Sequence, residues 1–295
     1  MSEYKRRLAW LWLVILPAAA LSDGGHALPM WQIQGKTNTV YLLGSVHLLR
    51  ASDHPLPSAI DAVYADAETL VMELDMDDLD PVETQAIVAE LSAISDGRTL
   101  SDLLGSRHYS TLEKRTSEID IPLGMFNAVE PWYVAITIEQ LMLMRIGMNQ
   151  EHGIESHFVE KAGADGKEII GLESIRQQLG FLDGLSAAAQ RDLLLQVLDE
   201  TDDLGASMAG MITAWRHGDT LYLEENMLAD MMQHRELYRR IVLDRNKDWV
   251  RQIRRYLTRP DDYLVIVGTL HLIGDDGVPT LLRKHGFSVE QMHQQ

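Results

Sequence analysis

The chain contains the same short motif twice, once near each end. The first copy is Gly44-Ser45-Val46-His47, which follows the apolar residues 41–43, and the second is Gly268-Thr269-Leu270-His271, which follows residues 265–267. Apolar runs of this kind predict buried strands. Because catalytic and ligand-binding groups of α/β folds collect at the carboxyl ends of strands, both imidazoles are predicted to lie at one edge of a sheet.

Only the repetition makes this motif informative. One Gly-x-x-His arises often by chance, and a packed or capping histidine is the ordinary explanation for it. Two copies that each follow a strand-like run and precede aliphatic residues arise by chance far less often. We therefore interpret His47 and His271 as a functional pair, with an ancient duplication that carries no chemistry as the alternative.

The composition excludes several classes of partner and of functional site. The chain has 295 residues, of which 46% are hydrophobic and 24% charged, as in an ordinary globular protein with a large core. Its formal net charge of −18 argues against nucleic acid as a partner, because phosphate binding relies on Lys and Arg. The absence of cysteine excludes disulfides, thiolate metal sites and cysteine nucleophiles.

The first residues have the pattern of an export signal. Lys5, Arg6 and Arg7 precede the apolar residues 8–20, where small residues suitable for cleavage are found. We predict that residues 1–22 are a signal peptide, or a membrane anchor if they are not cleaved. The predicted location is therefore the periplasm, with inner-membrane association as the alternative. A large core makes disulfides unnecessary there.

The remaining chain, residues 28–295, is predicted to form a single α/β domain. No long linker divides it, and strand-like runs lie at both chain ends with helical patterns between them. The predicted architecture is a central mixed sheet built from both chain ends, with a large helical insertion. The predicted strands are 31–34, 39–43, 69–75, 167–173, 263–267 and 287–292, and the predicted helical regions are 57–67, 81–162, 174–257 and 278–285.

Two predicted strands end in a glutamate. Glu73 follows the apolar residues 70–72, and its strand follows the first histidine strand by one helix, so Glu73 is predicted to share an edge with His47. Partial burial would raise the pKa of this carboxyl, which suits a general base. Glu173 has the same layout after residues 169–172. The alternative for both is an acidic strand end in solvent.

Two imidazoles with one or two carboxylates form a nitrogen and oxygen ligand set. Such a set suits Zn²⁺, Mn²⁺ or Co²⁺, and an ion with an open coordination position activates water. Alternatively, the histidines act directly as a base or as substrate-binding groups. Arg245 is a candidate clamp for a substrate carboxylate or an oxyanion, with an ion pair to Asp244 or Asp248 as the alternative.

Several short motifs, taken in order, resemble those of the TraB/GumN family, the bacterial relatives of the Tiki membrane-associated metalloproteases. The resemblance implies metal-dependent peptide hydrolysis by His47, His271 and Glu73. One difference concerns Glu155, because the family often has Gly-Val-Asp where this chain has Gly-Ile-Glu. The motifs are at residues 43–47, 71–75, 130–132, 153–155, 170–174 with Gln178, 214–219, 245–249 and 267–274.

The wider superfamily leaves two other functions open. It is similar to erythromycin esterases and to a group of haem-binding lipoproteins, and fold does not settle function. We predict a divalent-metal-dependent hydrolase that acts on a peptide or small-molecule substrate. Metal-independent hydrolysis of esters or amides is the first alternative, and binding of haem or another ligand in the cell envelope is the second.

Overall fold

The structure is a computed structural model that describes residues 27–199 and 204–293. The predicted signal segment, residues 1–22, lies outside these ranges, so export and membrane anchoring stay predictions. Within them, no helix combines the length and the apolar character needed to cross a bilayer.

A six-stranded mixed sheet forms the centre of the protein. Its strands are β1 (Ala27–Gln34), β2 (Thr39–Ser45), β3 (Thr69–Leu74), β4 (Glu168–Glu173), β5 (Tyr263–Gly268) and β6 (Val289–His293). Their order across the sheet is β4-β3-β5-β2-β1-β6, in which β2, β3, β4 and β5 run parallel and β1 runs antiparallel to both of its neighbours. The predicted sheet built from both chain ends is therefore confirmed.

Helices surround the sheet and account for the long middle of the chain. Before β4 lie α1 (Ser58–Asp66), α2 (Pro81–Ser92), α3 (Leu100–Glu118), α4 (Pro131–Arg145) and α5 (Ile154–Asp165). After it lie α6 (Ile175–Asp183), α7 (Ala187–Asp199), α8 (Leu204–His217), α9 (Thr220–Leu223), α10 (Ala229–Gln233), α11 (Arg235–Tyr238) and α12 (Asp244–Tyr256), and α13 (Val278–Lys284) joins β5 to β6.

Each face of the sheet has its own hydrophobic core, because successive strand residues point to opposite faces. On β2, Leu42 belongs to the core on one face and Leu43 to the core on the other. Trp249 of α12 packs on the first face, whereas Phe158 of α5 and Trp215 of α8 pack on the second. A third hydrophobic core lies between α3, α4 and α7. The predicted helical insertion therefore has a core of its own, separate from the two at the sheet.

The predicted helical region 174–257 is interrupted more often than its sequence pattern indicates. Gly218 ends α8 with a φ of +60°, and the side chain of Asp219 caps α9 by accepting a hydrogen bond from the Tyr222 amide. π-Helical turns at Glu224–Leu228 and Arg239–Leu243 follow. Such turns often occur at functional sites.

Candidate active site

The two Gly-x-x-His motifs lie side by side and contact each other. Strands β2 and β5 pair in parallel, with Ser45 opposite Gly268, so both motifs begin at the same edge of the sheet. The Thr269 hydroxyl donates to the Ser45 carbonyl at 2.8 Å. A Cβ at Gly44 would lie 2.8 Å from the Thr269 hydroxyl oxygen, which explains why the first motif begins with glycine.

His47 is held from one side by a carboxylate that lies 108 residues further along the chain. Its Nδ1 lies 2.8 Å from Glu155 Oε1, in the first turn of α5. Gly153 permits this approach, because a Cβ there would lie 2.1 Å from the His47 carbonyl oxygen. The Glu155 carboxylate raises the pKa of His47 to about 9. The side chain stays about half exposed, at 54%, so its Nε2 remains accessible.

His271 is buried, and both of its ring nitrogens have protein partners. Nδ1 lies 2.7 Å from Asn246 Oδ1, and Nε2 lies 3.2 Å from Nη1 of Arg245. Because a guanidinium only donates hydrogen bonds, Nε2 must be the acceptor and Nδ1 must carry the proton. Burial and the nearby Arg245 charge lower the pKa of His271 to about 3. In this arrangement His271 is a neutral imidazole that orients Arg245.

Glu73, at the end of β3, is an ionised carboxylate surrounded by donors. Oε1 accepts from the Gly268 amide at 2.8 Å, and Oε2 accepts from Gln178 Nε2 at 2.9 Å and Arg245 Nη2 at 2.6 Å. Burial would raise the pKa of Glu73, but Arg245 and the other polar groups around it lower this pKa to about 2. Only Oε1 keeps a lone pair without a hydrogen-bond partner among the described residues.

Arg245 uses all five of its N–H groups inside the protein. Besides Glu73 and His271, it donates to both carboxylate oxygens of Glu173 at 2.8–3.1 Å and to the Ile241 carbonyl at 3.4 Å. Glu173 also accepts from Trp249 Nε1 at 2.8 Å, and burial raises the pKa of this carboxyl. In this arrangement, Arg245 has no free donor for the substrate clamp that the sequence predicts.

The sequence-based alternative for Arg245, an ion pair within its own helix or with another helix, is not what the structure shows. Asp244 pairs with Arg239, and Asp248 pairs with Arg251. The partners of Arg245 are instead the two strand-end glutamates that the sequence singles out as candidate acids. Four of the predicted residues, Glu73, Glu173, Arg245 and His271, therefore form one hydrogen-bonded network, whereas His47 pairs with Glu155.

A small cavity opens beside His47 and Glu73. Its volume is about 190 Å³, and Glu155 and Gln178 line it together with these two residues. Met72, Leu74, Met76 and Gln150 complete the lining. Of the five residues predicted from sequence, His47 and Glu73 line this cavity, whereas His271, Glu173 and Arg245 do not. Analysis of the residues alone misses Glu155, Gln178 and Asn246, although the family motifs include all three.

A space for about one atom, which we call the cradle, lies at Gly268 beside the half-exposed His47 and the buried Glu73. A Cβ built on Gly268 would lie 3.3 Å from Glu73 Oε1, 3.3 Å from His47 Nε2 and 3.6 Å from His271 Cδ2. With both imidazoles neutral, the three carboxylates of Glu73, Glu155 and Glu173 face one guanidinium, so two negative charges are uncompensated. A proton on His47 compensates one of these charges, and a divalent cation in the cradle would compensate both.

Two of the three metal ligands predicted from sequence border the cradle. His47 Nε2 and Glu73 Oε1 each border the cradle, but His271 Nε2 is occupied by Arg245. Accordingly, no group of three His, Asp or Glu side chains in residues 27–199 and 204–293 is arranged to hold a metal ion. An ion in the cradle would therefore have two protein ligands and need water for the rest, as carboxylate-bound Mg²⁺ sites often do.

The lowered pKa of Glu73 predicts a loss of stability in acid. A carboxyl whose pKa is lower in the folded state than in the unfolded state stabilises the protein at pH values above the unfolded-state pKa. This stabilisation is lost as the pH falls through the folded-state pKa. The free energy of unfolding should therefore decrease more between pH 5 and pH 2 in the wild type than in Glu73→Gln. Urea titrations across this range test the difference, with the exposed Glu83→Gln as control, and equal slopes for wild type and Glu73→Gln would contradict it.

Comparison with known proteins agrees with the motifs. The sequence model of the TraB/PrgY/gumN family matches residues 29–291. The chain is similar to the protein named uncharacterized protein YbaP of Escherichia coli (strain K12), with 24% identity over 246 residues that cover 82% of this chain and 87% of that one. An uncharacterized protein of Treponema pallidum (strain Nichols) is 21% identical over 266 residues, covering 86% and 80% respectively.

No solved structure matches the chain. The family model, in contrast, spans both Gly-x-x-His motifs and every residue of the hydrogen-bonded network described above. This chain therefore belongs to the TraB/PrgY/gumN family.

Proposed function

We propose that the protein is a divalent-metal-dependent hydrolase of peptide or amide bonds. The observation that supports this most directly is the cradle beside Gly268, where His47 Nε2 and Glu73 Oε1 border one atom-sized space. His47 and Glu73 would hold Mn²⁺, Co²⁺ or Zn²⁺. Such an ion supplies an activated water and polarises a carbonyl group when bound.

The other residues of the site prepare these two ligands. Glu155 accepts the Nδ1 proton of His47 and fixes the ring so that Nε2 faces the cavity. Because the pKa of His47 is raised to about 9, a bound ion would have to displace the proton on Nε2. Arg245, Gln178 and the Gly268 amide hold the Glu73 carboxylate in place. His271 and Glu173 orient Arg245 in turn. The predicted role of His271 as a ligand stays a prediction, and it would require Arg245 to leave Nε2.

Apart from His47, Glu73 and Glu155, the residues that line the cavity are uncharged, which suits an uncharged substrate group. Met72, Leu74 and Met76 are apolar, and the amides of Gln150 and Gln178 are neutral. A volume of about 190 Å³ is below the range of about 300–1,000 Å³ typical of sites that enclose a drug-sized ligand. One peptide or amide group with a short apolar side chain suits this space. Haem binding has less support, because the ring is larger and His271 has no free nitrogen.

Metal-independent hydrolysis of esters or amides is the second candidate. The observation that favours it is the pair formed by Glu155 and His47, since a carboxylate that orients an imidazole is also the arrangement of a general base. In that reaction, His47 would take a proton from water at Nε2 in its neutral form, which is the minority form at pH 7 because its pKa is raised to about 9. Activity that survives exhaustive chelation would favour this candidate.

A peptide-library digest followed by mass spectrometry tests the proposed function. Wild-type protein is incubated with Mn²⁺, Co²⁺ or Zn²⁺, or with a chelator, alongside His47→Ala and the exposed control His285→Ala. We expect cleavage that depends on the ion, disappears in His47→Ala and persists in His285→Ala. Equal cleavage by wild type and His47→Ala would contradict the assigned site.

Removing the charge of Glu155 should slow the reaction without unfolding the protein. In Glu155→Gln the side chain still reaches His47 but no longer stabilises the ring by charge, so activity and metal affinity should fall by about 10- to 100-fold. Glu151→Gln, on the exposed turn just before α5, is the matched control and should behave as wild type. Unchanged activity in Glu155→Gln would mean that Glu155 does not prepare His47.

Filling the cradle should abolish function by geometry alone. Gly268 has a φ of −49°, which any residue adopts, so Gly268→Ala is compatible with the backbone. Its methyl group would press on both Glu73 Oε1 and His47 Nε2, and activity should fall by roughly 100-fold. Gly163→Ala, where the methyl meets open space, is the control. Full activity in a folded Gly268→Ala protein would contradict the cradle.

A further inference from the structure

A second, larger groove lies apart from the candidate active site and shares no lining residue with it. We name it the C-terminal groove. Its volume is about 520 Å³, and residues 220–232, residues 272–276 and helix α13 form its walls. Its apolar lining includes Trp31, Leu228, Leu272 and Pro279, which are buried, together with Leu221 and Met232.

The rim of the C-terminal groove exposes apolar side chains. Leu221 is 63% exposed and Met232 is 51% exposed. These are two of the six large hydrophobic residues that are exposed in the described part of the chain, and both line this groove. Because isolated exposed hydrophobics are ordinary but clusters mark interaction sites, their grouping around one groove indicates a binding surface.

The same rim is acidic. Glu224, Glu225, Asp275 and Asp276 line the groove, and the only basic side chain among its lining residues is Arg283. Arg283 donates to the Val289 carbonyl, so part of its hydrogen-bonding capacity is used inside the protein. Glu225 and Asp275 are exposed, and neither carboxylate forms a hydrogen bond or ion pair with any described residue. The groove therefore presents negative charge around an apolar floor.

One wall of the groove continues into the candidate active site. Asn246 Nδ2 donates to the Asp276 carbonyl at 2.8 Å and to the His271 carbonyl at 3.3 Å, while its Oδ1 accepts from His271 Nδ1. Glu224, in the first π-helical turn, accepts from the Gly274 amide at 3.0 Å. An occupant of the groove would contact the loop of residues 272–276. Asn246 hydrogen-bonds both to this loop and to His271, so it connects the groove with the candidate active site.

We propose that the C-terminal groove binds a basic, amphipathic segment of a polypeptide partner. Apolar side chains of that segment would pack on Trp31, Leu228 and Met232, and its Lys or Arg side chains would meet Glu225 and Asp275. Charge complementarity selects this occupant, because the formal net charge of −18 and the acidic rim both disfavour nucleic acid and anionic lipid.

Fluorescence anisotropy with labelled peptides tests this proposal. The probe is an amphipathic Leu/Lys peptide of about 18 residues, long enough to form a helix. A Leu/Glu peptide of the same pattern tests the sign of the charge, and a Lys/Ser peptide of equal charge tests general attraction to an acidic protein. We expect binding of the Leu/Lys peptide alone. Failure of this peptide to bind, or equally tight binding of the Lys/Ser peptide, would overturn the proposal.

Matched variants locate the binding surface. Met232 and Met144 are equally exposed, at 51% and 52%, but only Met232 lines the groove. Met232→Lys should weaken peptide binding by about tenfold or more, whereas Met144→Lys should bind as wild type. The double variant Glu225→Lys/Asp275→Lys should also bind more weakly and with less dependence on salt. Wild-type affinity in Met232→Lys would overturn the assignment to this groove.

Discussion

Replacing Arg245 with methionine is expected to lower the free energy of unfolding by about 3–5 kcal/mol, because it leaves buried carboxylates without their partner. Arg245 is 5% exposed and pairs with Glu73 and Glu173, whose side chains are 11% and 7% exposed. Removing one member of a buried group of charges lowers the free energy of unfolding by much more than the intact group contributes to it. Urea denaturation at pH 7 measures the difference between wild type and variant.

A control and a partial rescue make this stability prediction specific. Arg251→Met removes an exposed arginine that pairs with Asp248 on the surface, and it should change the free energy of unfolding by less than about 1 kcal/mol. Arg245→Met combined with Glu173→Gln should recover part of the lost stability, because one buried charge disappears. A loss below about 1 kcal/mol in Arg245→Met would show that the network contributes little.

Replacing Glu73 with glutamine is expected to reduce hydrolysis by about 1,000-fold, the middle of the range for a positioned acid or base. The exchange keeps the shape of the side chain but removes the charge that would hold an ion in the cradle. Turnover of the best peptide from the library digest measures the effect, and circular dichroism confirms that the variant is folded. The exposed Glu83→Gln is the matched control.

Two outcomes would contradict this expectation. Glu73→Gln could retain most of its activity, in which case Glu73 is a structural residue of β3 rather than part of the reaction site. Alternatively, Glu83→Gln could lose as much activity as Glu73→Gln, in which case the effect does not depend on the cradle. A selective loss in Glu73→Gln supports the assignment.

Much of the fold was predictable because the central strands are marked by short apolar runs in the sequence. The apolar runs before His47, Glu73 and His271 are the central strands β2, β3 and β5. Since these strands are parallel and adjacent, the rule that strand ends meet at one edge places all three residues together. The predictions failed in detail where helices break, because the caps and π-helical turns of residues 217–243 leave little trace in a hydrophobic pattern.

The arrangement inside the site was harder to predict, because it depends on contacts between distant parts of the chain. Arg245 and Glu73 are 172 residues apart, and His47 and Glu155 are 108 residues apart. Sequence motifs identify these side chains as candidates. They do not show which of them form hydrogen bonds with each other, or through which atoms. His271 was predicted as an accessible ligand, whereas in the structure Arg245 and Asn246 use both of its nitrogens.

The metal content of tag-free protein, measured by mass spectrometry for wild type, Gly268→Ala and Gly163→Ala, tests the central claim most directly. We predict about one equivalent of Mn, Co or Zn in wild type and in Gly163→Ala, and a loss of this metal in folded Gly268→Ala. Absence of metal in the wild type, with no uptake after addition of Mn²⁺, Co²⁺ or Zn²⁺, would contradict the claim. Equal metal content in all three proteins would contradict the assigned position.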